Sequence, residues 1–142
     1  MRNRNIIISS SDRDRLRQLI DSARMDRRIQ SQSLDVLEGE LARARVVEPD
    51  ELPRDVVAMN STVWFRDLDS EELERYTLVF PPNADVSRDR ISVLAPIGTA
   101  LLGYRLRDVV EWSVPQGRRR LEITTVEQHQ PAYEPEPVAV PA

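Results

Sequence analysis

Cysteine and lysine are both missing from this 142-residue sequence, and each absence closes off chemistry. Without a thiol there is no disulfide, no thiolate metal site and no cysteine nucleophile, so stability has to come from packing. All 20 basic residues are arginine, which removes Schiff-base lysines and Walker-type phosphate lysines together. The four glycines, Gly39, Gly98, Gly103 and Gly117, do not assemble into a phosphate loop. The single histidine, His129, lies beside a proline-rich end, where water is its expected surrounding, and it offers no pocket for a phosphohistidine. No apolar run approaches the roughly 20 residues of a membrane span. Ile6-Ile7-Ile8, after the basic Met1 to Asn5, is too short for the apolar core of a secretory signal, so a cytoplasmic location is expected.

What is present describes a soluble globular chain, with 40% apolar and 31% charged residues, long enough for one core with a small appendage. The net charge of -4 opposes broad attraction to nucleic-acid phosphates, so a protein partner is expected and strong direct nucleic-acid binding is not. Nothing calls for a cofactor or a resident metal, and a monomer is the default.

Ser9 to Asp12 precede a run in which Leu16, Leu19, Ile20 and Ala23 recur at helical spacing. Ser33 can cap a second helix, whose Leu34, Leu37, Leu41 and Ala44 alternate three and four apart like a coiled-coil seam. Two short seams and a short connection predict an antiparallel helical hairpin over residues 1–48. Pro49 and Pro53 then mark a linker, 49–56. From Val57 the period becomes two: Val57, Met59, Ser61, Val63 and Phe65 share one side of a strand. Leu73 to Phe80 resumes a strand after the polar turn Asp67 to Glu71, and Ile91 to Leu94 forms a short strand or loop. Pro96 opens a short helix that Gly103 closes. Val110, Trp112 and Val114, the turn Pro115-Gln116-Gly117, and Leu121 with Ile123 make a terminal hairpin. The fold class is therefore α+β, with a sheet domain and one short helix over 57–127 and a proline-rich tail over 128–142.

This order resembles the bacterial Gre transcription factors. Pro53-Arg54-Asp55-Val56-Val57-Ala58-Met59-Asn60-Ser61-Thr62-Val63 is similar to the family's linker-to-first-strand signature. Ile91-Ser92-Val93-Leu94-Ala95-Pro96-Ile97-Gly98-Thr99-Ala100-Leu101-Leu102-Gly103 is similar to its C-terminal signature, and Val109, Val110, Pro115 and Gly117 follow at the family's places. The short hairpin resembles the branch called regulator of nucleoside diphosphate kinase, whose C-terminal domain is FKBP-like. There are two departures: Ala95 stands where the signature usually has serine, and Arg107 where an acid or glycine is common.

The resemblance implies docking beside the secondary channel of RNA polymerase, with the C-terminal domain as the grip and the hairpin directed into the pore. The expected grip is the start of the short helix, Pro96, Ile97 and Gly98, although Ile97 could instead pack the helix onto the sheet. Arg118 and Arg119, within Arg118-Arg119-Arg120, could meet an acidic polymerase surface or nucleic-acid phosphate, or serve as a solvated edge that discourages edge pairing. In cleavage-type Gre factors an acidic pair at the hairpin tip helps bind the second catalytic magnesium. Asp35 and Glu38 have a suitable D-x-x-E spacing, but acids in a helix's first turn are also favoured by its dipole alone. A second helix of about 13 residues, Asp35 to Val47, reaches only about 20 Å, short of the cleavage factors' arm. The expectation is a non-enzymatic elongation regulator that competes with Gre factors, the alternatives being an FKBP-like peptidyl-prolyl isomerase or an interaction module for another protein.

Overall fold

The computed structural model describes residues 6–114 and 117–129. The expected turn at Pro115-Gln116 and the tail from residue 130 onward lie outside the described residues.

The chain opens with β1 (Ile7–Ser9) and runs directly into α1 (Ser10–Ala23). Ser9 is the N-cap, and its Oγ accepts the Asp12 N–H at 3.1 Å. After the connection comes α2 (Ser31–Arg43), followed by β2 (Arg45–Val47). Two expectations change here. α2 begins two residues before Ser33, with Gln30 as an N-cap that makes no side-chain bond, and Val46 and Val47 leave the helix to pair in parallel with Ile8 and Ser9. Those β-branched residues follow the helix directly, and β1 offers them a ladder.

The proline-marked stretch contains a 3-10 turn at Pro49–Glu51, closed by the Glu51 carboxylate accepting the Glu48 N–H. The main sheet runs in the order β5-β4-β3-β7-β6, from β3 (Thr62–Asp67), β4 (Leu73–Val79), β5 (Arg90–Ser92), β6 (Val109–Val114) and β7 (Gly117–Glu127). The alternation from Val57 is real as burial, since Val57, Met59, Ser61, Val63 and Phe65 are all buried, but the strand starts only at Thr62. Asn60, at φ 69, turns the backbone first, with Ser61 Oγ accepting the Ala58 N–H. α3 (Pro96–Leu101) begins on Pro96, and Gly103 follows at φ 83, where a Cβ would come within 2.6 Å of Ile6.

One continuous core gathers Ile6 and Ile8, Leu16 and Ile20 of α1, Leu37 and Leu41 of α2, Val63 and Phe65 of β3, Leu101 of α3, and Leu121 and Ile123 of β7. Ile6 and Ile8, from the run too short for a signal, are thus core residues, and the Ile7 N–H donates to Gly103 O at 3.2 Å. The helices and the sheet fold onto the same apolar centre.

Candidate partner-binding site

At the far end of the helices, Arg24 caps α1 and reaches across to α2. Its Nη2 donates to Asp35 Oδ1 at 2.9 Å and to Glu38 Oε1 at 2.6 Å. The two carboxylates of the D-x-x-E spacing are therefore brought together, on a guanidinium supplied by the chain itself. Both remain largely exposed, so the pairing contributes little stability. Helical periodicity alone gives Arg24 to water or to neighbours within its own helix. It locates the residue near the end of α1, but only the return of α2 brings the acids to it.

The connection itself is held by local bonds. Asp26 accepts the Arg28 N–H and Nε–H, each at 3.0 Å, and Nη2 at 3.1 Å. These bonds, the side-chain one foremost, hold the Asp26 carboxyl below its ordinary range.

At the expected grip, Pro96 is exposed, Ile97 is half-buried against the core and Gly98 is buried. A Cβ on Gly98 would lie 2.2 Å from Ser92 O and 3.1 Å from Leu78, so glycine there lets α3 approach the end of β5. Ala95 is the N-cap of α3 and makes no capping bond, whereas the family's usual serine could make one. Arg107, the other departure, sits at φ 78, in the left-handed region that favours glycine.

Arg118, Arg119 and Arg120 lie on the part of β7 that pairs with β6 alone: the ladder to β3 ends at Asp67 and Leu121, and beyond it only the Leu68 N–H reaches Arg120 O, at 2.9 Å. Each is engaged within the chain: Arg118 with Glu111 at 2.6 Å, Arg119 with Asp67 at 2.9 Å and Glu74 at 2.6 Å, Arg120 with Asp69 at 3.0 Å. Asp67 also accepts the Ser70 and Asp69 N–H groups, and these bonds, ahead of the Arg119 guanidinium, hold its carboxyl low.

A groove at the junction of arm and sheet has no counterpart in the sequence pattern. It is lined by Ser9, Asp12, Arg15, Met59, Asn60 and His129, among others. Asp12 Oδ2 accepts the Met59 N–H at 3.0 Å, and burial pushes its carboxyl up against the opposing pull of that bond and of Arg15. The Arg15 guanidinium stands 4.3 Å from the centre of the Phe80 ring. Gln128 Nε2 donates to Pro53 O and Val56 O, both at 2.8 Å, and His129 Nε2 lies 3.0 Å from Thr62 Oγ1. His129 is thus half-exposed with a hydroxyl partner, not simply solvated.

The family model for the C-terminal region of transcription elongation factors GreA and GreB matches residues 52–128, and that for the Rnk N-terminus matches residues 4–47. The chain belongs to the Gre superfamily. The N-terminal match assigns it to the Rnk branch. It is 44% identical over 103 residues to the regulator of nucleoside diphosphate kinase of Escherichia coli K12, covering 72% of each chain. Against the elongation factor GreA of Nitratidesulfovibrio vulgaris, strain DSM 19637 / Miyazaki F, identity is 38% over 106 residues, 75% of this chain and 66% of that protein. The solved structure of a transcription elongation factor GreA/GreB from Nitrosomonas europaea superposes with TM-score 0.73 at 45% identity, over 87% of this chain and all of that one. The expected class holds at that level: an α+β Gre architecture with N-terminal helices ahead of a sheet. Among the described residues no helix is long and apolar enough to cross a membrane.

Proposed function

We propose that this chain is a cytoplasmic regulator of transcription elongation that binds bacterial RNA polymerase beside its secondary channel, competes there with Gre factors, and does not stimulate transcript cleavage. It acts as a monomer and by occupancy, with no catalytic residue of its own. In this reading the helices form an antiparallel coiled-coil hairpin directed into the channel, and the sheet domain, FKBP-like in form, is the grip. Pro96 and Ile97 are the grip's contact residues; Gly98 supports them by letting α3 seat closely. Arg118 and Arg119 contribute through whatever charge their internal partners leave uncompensated.

The observation that carries the reading is the pairing of a Gre C-terminal region with a short Rnk-type arm. Helices of 14 and 13 residues extend only about 20 Å at 1.5 Å per residue. The absence of cleavage is supported by Arg24 as well: its guanidinium engages one oxygen each of Asp35 and Glu38 and competes with a divalent ion for them. The test is displacement of a labelled cleavage-type Gre factor from purified core RNA polymerase. Concentration-dependent displacement supports the proposal, and no binding at micromolar concentration removes it.

A further inference from the structure

The α1–α2 connection is built as a fixed tip with two side chains left over. The Met25 N–H donates to Ser22 O at 3.1 Å, the Asp26 N–H to Ala23 O at 3.0 Å, and the Ile29 N–H to Asp26 O at 3.1 Å, while the Asp26 carboxylate fixes Arg28. Three carboxylates at this end are engaged by arginine, Asp26 by Arg28, and Asp35 and Glu38 by Arg24. Met25 nevertheless stands 84% exposed, and Arg27 is exposed with no ion pair or side-chain hydrogen bond among the described residues.

We infer that this connection is the arm's own docking contact with a protein surface: Met25 enters an apolar depression and Arg27 meets a carboxylate beside it. The inference rests on the polymerase reading above and names the part of the arm that touches. Methionine and arginine are the residue types enriched in protein–protein contacts, where an apolar anchor sits next to a forked donor. A turn already held by its own hydrogen bonds loses little backbone freedom on docking, so only the two side chains remain to be ordered. Nucleic acid is the poorer occupant. Binding a phosphate backbone draws on several cations that release counterions together, and at this tip Arg27 alone is without an ion pair among the described residues, on a chain of net charge -4. The arm thus presents a cation and a thioether at its tip, with Asp26, Asp35 and Glu38 held by arginine.

The experiment measures dissociation constants on core RNA polymerase free of nucleic acid for the full chain and for Met25→Asp, Arg27→Glu, Asp26→Ala and the remote control Val86→Ser, with thermal melts of each. Met25→Asp and Arg27→Glu should bind at least about tenfold more weakly with unchanged melts. Asp26→Ala, which loosens the turn without touching the partner, should show a smaller loss, and Val86→Ser none. Arg27→Glu should also flatten the dependence of binding on salt. Tip variants that bind as tightly as an unmodified chain that does bind would overturn the inference and leave the polymerase reading standing. A weakening confined to polymerase that carries nucleic acid would overturn it in the same way. An unmodified chain that fails to bind ends both.

Discussion

The Asp12 carboxylate in the first turn of α1 accepts the Met59 N–H at 3.0 Å across 47 residues of sequence, and this bond ties the arm to the sheet. Burial raises the Asp12 pKa above its ordinary value, so the folded state carries a cost for holding the charge at neutral pH, and that cost fades as pH falls through the folded-state value. Asp12→Asn keeps an oxygen for Met59 without the buried charge and should lie within about 1 kcal/mol of the unmodified chain at pH 7. Asp12→Ala leaves the Met59 N–H without its acceptor and should cost about 1–3 kcal/mol. Denaturant midpoints of the two variants decide; an alanine variant as stable as the asparagine variant would mean that the bond is incidental.

Asp67 titrates in the opposite sense. Its carboxyl is held below the ordinary value of 3.8 by the Ser70 and Asp69 N–H groups and then by Arg119. A depressed folded-state pKa contributes stability that is fully present above the unfolded value and is lost as pH falls through the folded one. Asp67→Asn should therefore destabilise at pH 7, with the gap to the unmodified chain narrowing below about pH 4. Unfolding free energies at pH 7 and pH 3 check this, and a gap independent of pH would contradict it.

The two departures from the Gre signature should each be reversible with a gain. Ala95→Ser supplies the missing cap of α3 and should stabilise by about 0.5–1 kcal/mol. Arg107→Gly relieves a left-handed backbone and should gain up to about 1 kcal/mol, whereas Arg107→Ala, which keeps a Cβ, should gain nothing. Differential scanning calorimetry would register rises of a few degrees, on the order of 2–4 °C per kcal/mol for a chain of this size. An equal shift for Arg107→Ala and Arg107→Gly would place the effect in the lost arginine side chain instead.

Much of this architecture is legible in the sequence because it is local. Helical spacing from Leu16 to Ala23, the alternation of Val63 with Phe65, and Pro96 opening α3 all follow from the period and chemistry of neighbouring residues. What depends on distant partners is not legible. Ile7 and Ile8 enter β1, and Ile6 and Ile8 the core, where Arg45 to Val47 return beside them, and the same return cuts α2 short of Val46. The hairpin of β7 with β6 is visible in the sequence. The pairing of β7 with β3, which sets Leu121 beside Asp67 and Glu127 beside Thr62 and shifts register between Trp64 and Phe65, is not. The acidic spacing at Asp35 and Glu38 stands out, but the guanidinium that engages it lies 11 and 14 residues upstream.

The most direct test of the central claim is nascent-transcript cleavage in backtracked elongation complexes, with this chain added alone and in titration against a cleavage-type Gre factor. The account predicts no cleavage from the chain alone and progressive suppression of Gre-stimulated cleavage as its concentration rises. Cleavage by the chain alone that disappears in Asp35→Ala and Glu38→Ala variants would contradict it, because the short arm would then have delivered its carboxylates to the active centre.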